Sequence, residues 1–290
     1  MAAETGPARR VGLIGHPLGH SLSPAMQDAA FVAAGLPHRY ELLDVPADGL
    51  PTLLQTMRVG GWLGGNVTVP HKTAVATLLD ELRGDAAVLG AVNTIQVEGA
   101  RLIGYNTDTF GFEDSLAAQP DLRRGAGQAV VLGAGGSARA VVWTLLRHGW
   151  TVCLLARRPD QAAALAAALP QADRVTTGAL AAPTVAECLR GAQLLVNTTP
   201  VGMWPHAHTD PLPPNVRLSP HLFVYDLIYR PYETRLLARA AAAGCRTSNG
   251  LAMLVAQGAA AYTIWTGLDA PRRLMRTAAE QALLALGDSA

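Results

Sequence analysis

Cysteine is scarce in this chain. Cys153, Cys188 and Cys245 are the only 3 among 290 residues, far apart and without any CxxC spacing. That pattern excludes the paired thiols of a zinc site and the dense framework of a small secreted domain, so the expectation is buried, inert thiols in a reducing compartment. An excess of one charge sign is also missing. With 23 Lys plus Arg against 22 Asp plus Glu, the formal net charge is +1, which leaves no basic stripe for nucleic acid and no charged tail. Long apolar runs are absent as well: the stretch after Arg9-Arg10 is broken at Gly15-His16-Pro17, well short of a signal-peptide core or a membrane span. What remains is 50% hydrophobic and 16% charged, a composition that supports ordinary buried cores and a length that suits two domains. The expected partners are small molecules, not nucleic acid or membrane, and the expected location is the cytoplasm.

Apolar periodicity predicts strands at Val11–Ile14 and Tyr40–Val45, helices at Leu22–Ala34 and Leu50–Met57, and a strand entering Asn66. A helix is predicted from Pro70 through Leu82. Ala91–Val97 and Arg101–Ile103 flank Glu98-Gly99-Ala100, which reads as a hairpin. Turn formers at Gln119-Pro120-Asp121 and Gly125-Ala126-Gly127 mark a boundary before a fresh strand, Val130–Leu132. Further strands at Thr151–Leu155, Leu194–Asn197 and Phe223–Asp226, with helical patterns between them, predict a parallel sheet wrapped by helices. A helix over Leu251–Trp265 and one more close the chain. The fold class is α/β.

Gly133-Ala134-Gly135-Gly136-Ser137-Ala138 follows an apolar strand and opens a helix. In that context the glycines let the backbone approach a pyrophosphate at the helix N-terminus, where N–H groups and the dipole favour an anion; the alternative is a plain tight turn. An NAD enzyme places Asp or Glu at the end of the next strand, on the ribose 2′-hydroxyl. Here that strand ends in Ala156-Arg157-Arg158. Guanidinium groups suit a 2′-phosphate, so NADP(H) is the expected cofactor, although two arginines at a strand end could also be a solvated surface pair.

Lys72, in Asn66-Val67-Thr68-Val69-Pro70-His71-Lys72, stands at the start of a predicted helix, the unfavourable end for a cation. Asp108, in Asn106-Thr107-Asp108, could be its carboxylate partner, an N-cap, or both. Lysine, carboxylate and neutral hydrogen-bonding groups together are what proton transfer with a small hydroxylated substrate requires. Ser21 and Ser23 could bind a carboxylate or cap a helix. His206 and His208 have no third ligand at a recognisable spacing, so no metal is expected.

These motifs, together with Gly90–Thr94, Asn197-Thr198-Thr199-Pro200-Val201-Gly202-Met203, Asp226–Pro231 and Gly250-Leu251 through Gln257-Gly258, resemble the shikimate dehydrogenase family along almost the whole chain. The resemblance implies a substrate-binding domain over 1–112, a Rossmann-like NADP-binding domain over 113–248, and C-terminal helices, 249–290, returning to the first. It implies NADPH-linked reduction of 3-dehydroshikimate to shikimate, by a monomer or homodimer. Lys72 and Asp108 would be the catalytic pair; Ser21 and Ser23 would hold the substrate carboxylate, helped by Tyr229, and Thr68, Asn93, Asp108 and Gln257 the ring hydroxyls. Gly133, Ala134, Gly135, Gly136, Ser137, Ala156, Arg157, Arg158, Thr198, Pro200, Met203 and Gly250 would hold the cofactor. Two departures stand out. Gln27-Asp28 replace a common His-Asn, at positions expected on a helix surface, and Ala156-Arg157-Arg158 replace Asn-Arg-Thr. A quinate/shikimate dehydrogenase and a non-catalytic ligand sensor are the competing readings; the paired arginines oppose the first, Lys72 and Asp108 the second.

Overall fold

A computed structural model of the chain describes residues 7–18, 21–119, 122 and 127–287. They form two compact units, one comprising the chain up to Gly111 together with Val255–Gly287, the other Phe112–Leu254. Pro120, Asp121, Gly125 and Ala126 of the expected boundary segment lie outside the described residues.

The first unit is built on β1 (Arg10–Gly15), β2 (Arg39–Asp44), β3 (Trp62–Val67), β4 (Glu81–Leu82), β5 (Thr94–Glu98) and β6 (Arg101–Tyr105), in the order β2-β1-β3-β5-β6-β4. Its first three strands are parallel, joined by crossovers through α1 (Ser23–Ala33) and α2 (Leu50–Val59), as parallel neighbours require. β5 and β6 form the expected hairpin, turning at Gly99 with φ +64°. The helix expected from Pro70 to Leu82 is corrected to α3 (Lys72–Ala76), after which the chain adds β4 beside β6 and then α4 (Asp85–Leu89). Asp80 accounts for the stop. Its N–H donates to Leu102 O at 3.0 Å and its carboxylate accepts from Leu102 N at 2.7 Å, so Leu102 takes the backbone N–H that a longer helix would bond internally. The chain then enters α5 (Asp108–Ala117).

The second unit carries β7 (Gln128–Leu132), β8 (Thr151–Ala156), β9 (Val175–Ala179), β10 (Leu194–Asn197), β11 (Phe223–Asp226) and β12 (Arg246–Ser248), all parallel, in the order β12-β11-β10-β7-β8-β9. Connecting them are α6 (Gly136–Arg147), α7 (Pro159–Ala167), α8 (Ala182–Leu189) and α9 (Arg235–Ala242). This is the doubly wound order, with its reversal between β7 and β10. The central strands are buried on both faces and so read as apolar runs. The edge strands β9 and β12 went unpredicted because they are half-exposed and carry Thr176, Thr177 and Arg246 where an apolar run would be sought.

The expectation of three separate thiols is also corrected. Cys153 on β8 and Cys188 on α8 form a disulfide with Cα atoms 6.2 Å apart, and Cys245 alone is free and buried. Packing of α8 over β8 unites residues 35 apart in sequence, which spacing along the chain cannot show. No described helix is long and apolar enough to cross a membrane.

The last helices are α10 (Leu251–Thr266) and α11 (Arg272–Ala285). In the first unit α10 is pinned at several points. A Cβ on Gly64 would stand 2.4 Å from Trp265 Nε1, which donates to Ile95 O at 2.9 Å, so the glycine of β3 is what lets the helix come so close. Gln96 Nε2 donates to Ile264 O and Gln27 Nε2 to Gly258 O, both at 2.9 Å. Gln27 is therefore wholly buried under α10, not on a helix surface as the sequence suggested.

Candidate active site

Beyond β3 the backbone turns through Thr68 to His71, whose N–H donates to Thr68 O at 2.9 Å and whose buried ring lies 2.7 Å from Val45 O. That turn delivers Lys72 to the first position of α3. Its Nζ lies 2.5 Å from Asp108 Oδ2, and the two side chains are only 10% and 7% exposed. A carboxylate so close offsets the electrostatic penalty of a cation at a helix start. Asp108 opens α5 without capping it: Thr109 N is met by Asn106 Oδ1 at 3.4 Å, while Asp108 Oδ1 accepts from Asn93 Nδ2 at 2.9 Å. Lys72 is also the sole lysine of the sequence; all the other residues in the Lys plus Arg total of 23 are arginine. Arginine keeps its proton under all ordinary conditions, whereas an amine can release one.

Asn93 organises the rest. Besides Asp108, its Nδ2 reaches Gln257 Oε1 on α10 at 3.2 Å, and its Oδ1 accepts from Thr107 N at 2.6 Å. Its carbonyl takes Val67 N at 2.9 Å and Asn66 Nδ2 at 3.1 Å, and Asn66 Oδ1 in turn accepts from Tyr40 O–H at 2.8 Å. Asn66, Thr94 and Thr107 were not singled out as site residues, yet all are buried members of this network. Part of the signal was available: Asn66 and Thr94 are neutral polar residues at buried strand positions and must find partners there. Lys72, Asp108, Asn93 and Gln257, expected to share a site, are thus joined by direct hydrogen bonds.

The remaining substrate candidates stand elsewhere in the fold. Ser21 Oγ accepts from Ser23 N at 3.2 Å, so the first serine bonds locally to the residue that opens α1, whose N-cap is Leu22. Thr68 sits beside Gly15, where a Cβ would lie 2.5 Å from its methyl carbon. Tyr229 belongs to the second unit and is half-buried.

In the second unit the glycine-rich turn closes the C-terminal end of β7 at the sheet's reversal point. Gly133 has φ +105°, and a Cβ there would stand 2.7 Å from Thr198 Oγ1, so the turn packs directly against the loop after β10. Gly135 is exposed with open space where a Cβ would be, at the start of α6. A glycine cradle at a helix N-terminus fits a dinucleotide pyrophosphate. Arg157 and Arg158 are exposed just past β8, and neither forms an ion pair among the described residues. Gly250 is buried; a Cβ there would meet Leu227 O at 1.9 Å.

Below the loop after β10 lies Asp226, with no exposed surface. Burial pushes its carboxyl up to about 6; hydrogen bonds from Thr234, Ile228 N and Asn197 work against that shift, and the Asp210 charge adds to it. A carboxyl whose folded-state value lies above its unfolded one contributes stability below the unfolded value, and this contribution is lost as pH rises through the folded value. Between pH 5 and pH 7.5 the wild type should therefore lose on the order of 1 kcal/mol relative to Asp226→Asn. Denaturant melts of both proteins at the two pH values check this; an unchanged difference would remove the raised value.

Residues 13–95 match the family model of the shikimate dehydrogenase substrate binding domain, and residues 250–280 that of the shikimate 5'-dehydrogenase C-terminal domain. The chain is 46% identical over 286 residues to the NADP(+) shikimate dehydrogenase of Symbiobacterium thermophilum, covering 97% of each. Among solved structures, shikimate 5-dehydrogenase from Thermus thermophilus in complex with NADP(H) and shikimate superposes with a TM-score of 0.83 at 39% identity, covering 95% of this chain and 100% of that one. The quinate dehydrogenase of Corynebacterium glutamicum in complex with NAD gives 0.82 at 33% identity, with 93% of this chain and 98% of that one covered.

Proposed function

The chain belongs to the shikimate dehydrogenase family, and on that premise we propose that it interconverts 3-dehydroshikimate and shikimate with NADP(H), using Lys72 and Asp108 as its catalytic pair. The observation that carries this reading is the buried Lys72–Asp108 contact, tied through Asn93 to Gln257. NADPH, when bound, supplies the hydride that reduces the 3-keto carbon. Lys72 Nζ gives a proton to the oxygen on which negative charge develops, so ketone, hydride and proton balance to the alcohol. Asp108 holds the Lys72 side chain in place, and Asn93 fixes the second carboxylate oxygen. Ser21 and Ser23 hold the substrate carboxylate, helped by Tyr229, with Thr68, Asn93 and Gln257 on the hydroxyls. Gly133 to Ser137, Ala156 to Arg158, Thr198, Pro200, Met203 and Gly250 hold the cofactor.

Residues 1–112 and 249–290 act as the substrate domain and 113–248 as the NADP domain, in a cytoplasmic monomer or homodimer whose ligands are small molecules. Following absorbance at the NADPH band with shikimate and NADP tests the reaction directly; no turnover would leave only a ligand sensor. The likeness to a quinate dehydrogenase supports a second reading, so quinate and NAD are run in parallel. Faster turnover of quinate with NAD than of shikimate with NADP would replace the assignment.

Gln257→Ala should raise KM for shikimate by roughly 5–10-fold, the scale of one lost hydrogen bond, and leave KM for NADP within about twofold. A change confined to the NADP constant would remove Gln257 from the substrate side.

A further inference from the structure

Asn197 and Asp226 are paired neighbours at the C-terminal ends of β10 and β11, and both side chains are wholly buried. Asp226 Oδ1 accepts from Asn197 Nδ2 at 2.9 Å and from Ile228 N at 3.1 Å; Oδ2 accepts from Thr234 O–H at 2.7 Å. An amide can face either way in a pocket unless a neighbour distinguishes its oxygen from its nitrogen. A carboxylate does so, because it attracts only the N–H end. With Nδ2 fixed on Asp226, Asn197 Oδ1 faces the next loop, where it accepts from Thr199 N at 3.0 Å and Thr199 O–H at 2.7 Å. Thr199 Oγ1 accepts in turn from Val201 N at 3.2 Å, while Thr198 is anchored to Leu132 O at 2.6 Å, at the end of β7. Residues 199–201 are thus tied to the orientation of one amide, whose Nδ2 also donates to Val201 O at 3.4 Å, while Thr198 is held separately by β7.

We propose that Asp226 is a positioning residue for the cofactor: it fixes the Asn197 amide so that the loop 198–203, packed against Gly133, is held in the form that receives the nicotinamide half of NADP. This rests on the NADP reading above, and neither Asp226 nor Asn197 touches the cofactor in it. Protonation is not required for the role, since an asparagine at 226 keeps an oxygen for Asn197 and Ile228 and turns its amide towards Thr234, whose oxygen already accepts from Leu237 N at 3.2 Å.

The test measures NADP binding by titration calorimetry at pH 7.5, beside kcat and both KM values. Asp226→Leu, which leaves Asn197 Nδ2 with only the longer bond to Val201 O at 3.4 Å, and Asn197→Asp, which sets two carboxylates against each other, should each weaken NADP binding at least roughly 10-fold. Both should lower kcat while KM for shikimate stays within about twofold. Asp226→Asn should recover NADP affinity to within about threefold of wild type, separating orientation of the amide from the charge itself. If Asp226→Leu fails to fold, as circular dichroism would show, Asn197→Asp and Asp226→Asn decide. Folded Asp226→Leu or Asn197→Asp protein that binds NADP as tightly as wild type overturns the proposal, as does Asp226→Asn losing as much as Asn197→Asp. Wild type that binds no NADP overturns the cofactor reading instead.

Discussion

Lys72→Ala should lower kcat by roughly 10²–10⁴-fold, the range for a positioned general acid–base group, with shikimate affinity held within a few-fold. In the proposed mechanism the loss falls on chemistry, because Lys72 would contribute the proton that the alkoxide oxygen needs, while binding of the ring hydroxyls would be left to Thr68, Asn93 and Gln257. Asp108→Ala removes the carboxylate that lies 2.5 Å from Nζ and leaves a cation in a site only 10% exposed. If the pair acts as one unit, Lys72→Ala with Asp108→Ala should be scarcely worse than Lys72→Ala alone, since members of a catalytic unit are strongly non-additive. Rate constants for both single variants and the double, with thermal melts to confirm folding, decide between the two. Fully multiplicative losses would end the coupled-pair account, and near-wild-type turnover of Lys72→Ala would end the mechanism. Because Lys72 is the sole lysine, reductive methylation gives an independent check: apart from the α-amino group it modifies one amine, and substrate should protect that amine.

The pairing of Lys72 with Asp108 was legible in part, because a cation that begins a helix is out of place by local rules and calls for a carboxylate. Asp108 gave no such sign, since a carboxylate at the head of a helix is ordinary there. The sequence also carried the glycine cradle, since Gly133 precedes a helix and follows an apolar strand. Less legible was whatever depends on pairing across the chain. Nothing near Cys153 announces Cys188; β9 and β12 are edge strands whose exposed faces blur the apolar pattern. Gln27 looked like surface because its helix has few charges to mark an outside, yet it donates to Gly258 O, 231 residues away. The extended helix after Pro70 failed for a related reason. Asp80 satisfies its backbone and side chain on Leu102, a partner that periodicity within 70–82 cannot reveal.

Arg157→Ala should weaken NADP binding by on the order of 1.5–3 kcal/mol, roughly 10–150-fold, and barely change NAD binding. The sheet order sets the geometry: β7 carries the glycine turn, β8 lies beside it, and in doubly wound dinucleotide folds the residue ending that second strand meets the ribose 2′ position. Ala156 ends β8 where an acid would accept from a 2′-hydroxyl, so the strand itself offers nothing to NAD there. Arg157 and Arg158 follow, exposed and without an ion pair among the described residues, so a phosphate need not displace a protein carboxylate to reach them. A planar guanidinium can make two parallel bonds to phosphate oxygens, which a hydroxyl cannot match. Exposure also means screening, and the NADP preference should shrink as salt rises from 0.01 to 1 M, where the Debye length falls from about 30 to about 3 Å. Dissociation constants for NADP and NAD, for wild type and Arg157→Ala at low and high salt, carry the whole argument. Equal losses for the two cofactors would move Arg157 off the 2′-phosphate, and the preference for NADP would then need a source other than charge at the end of β8.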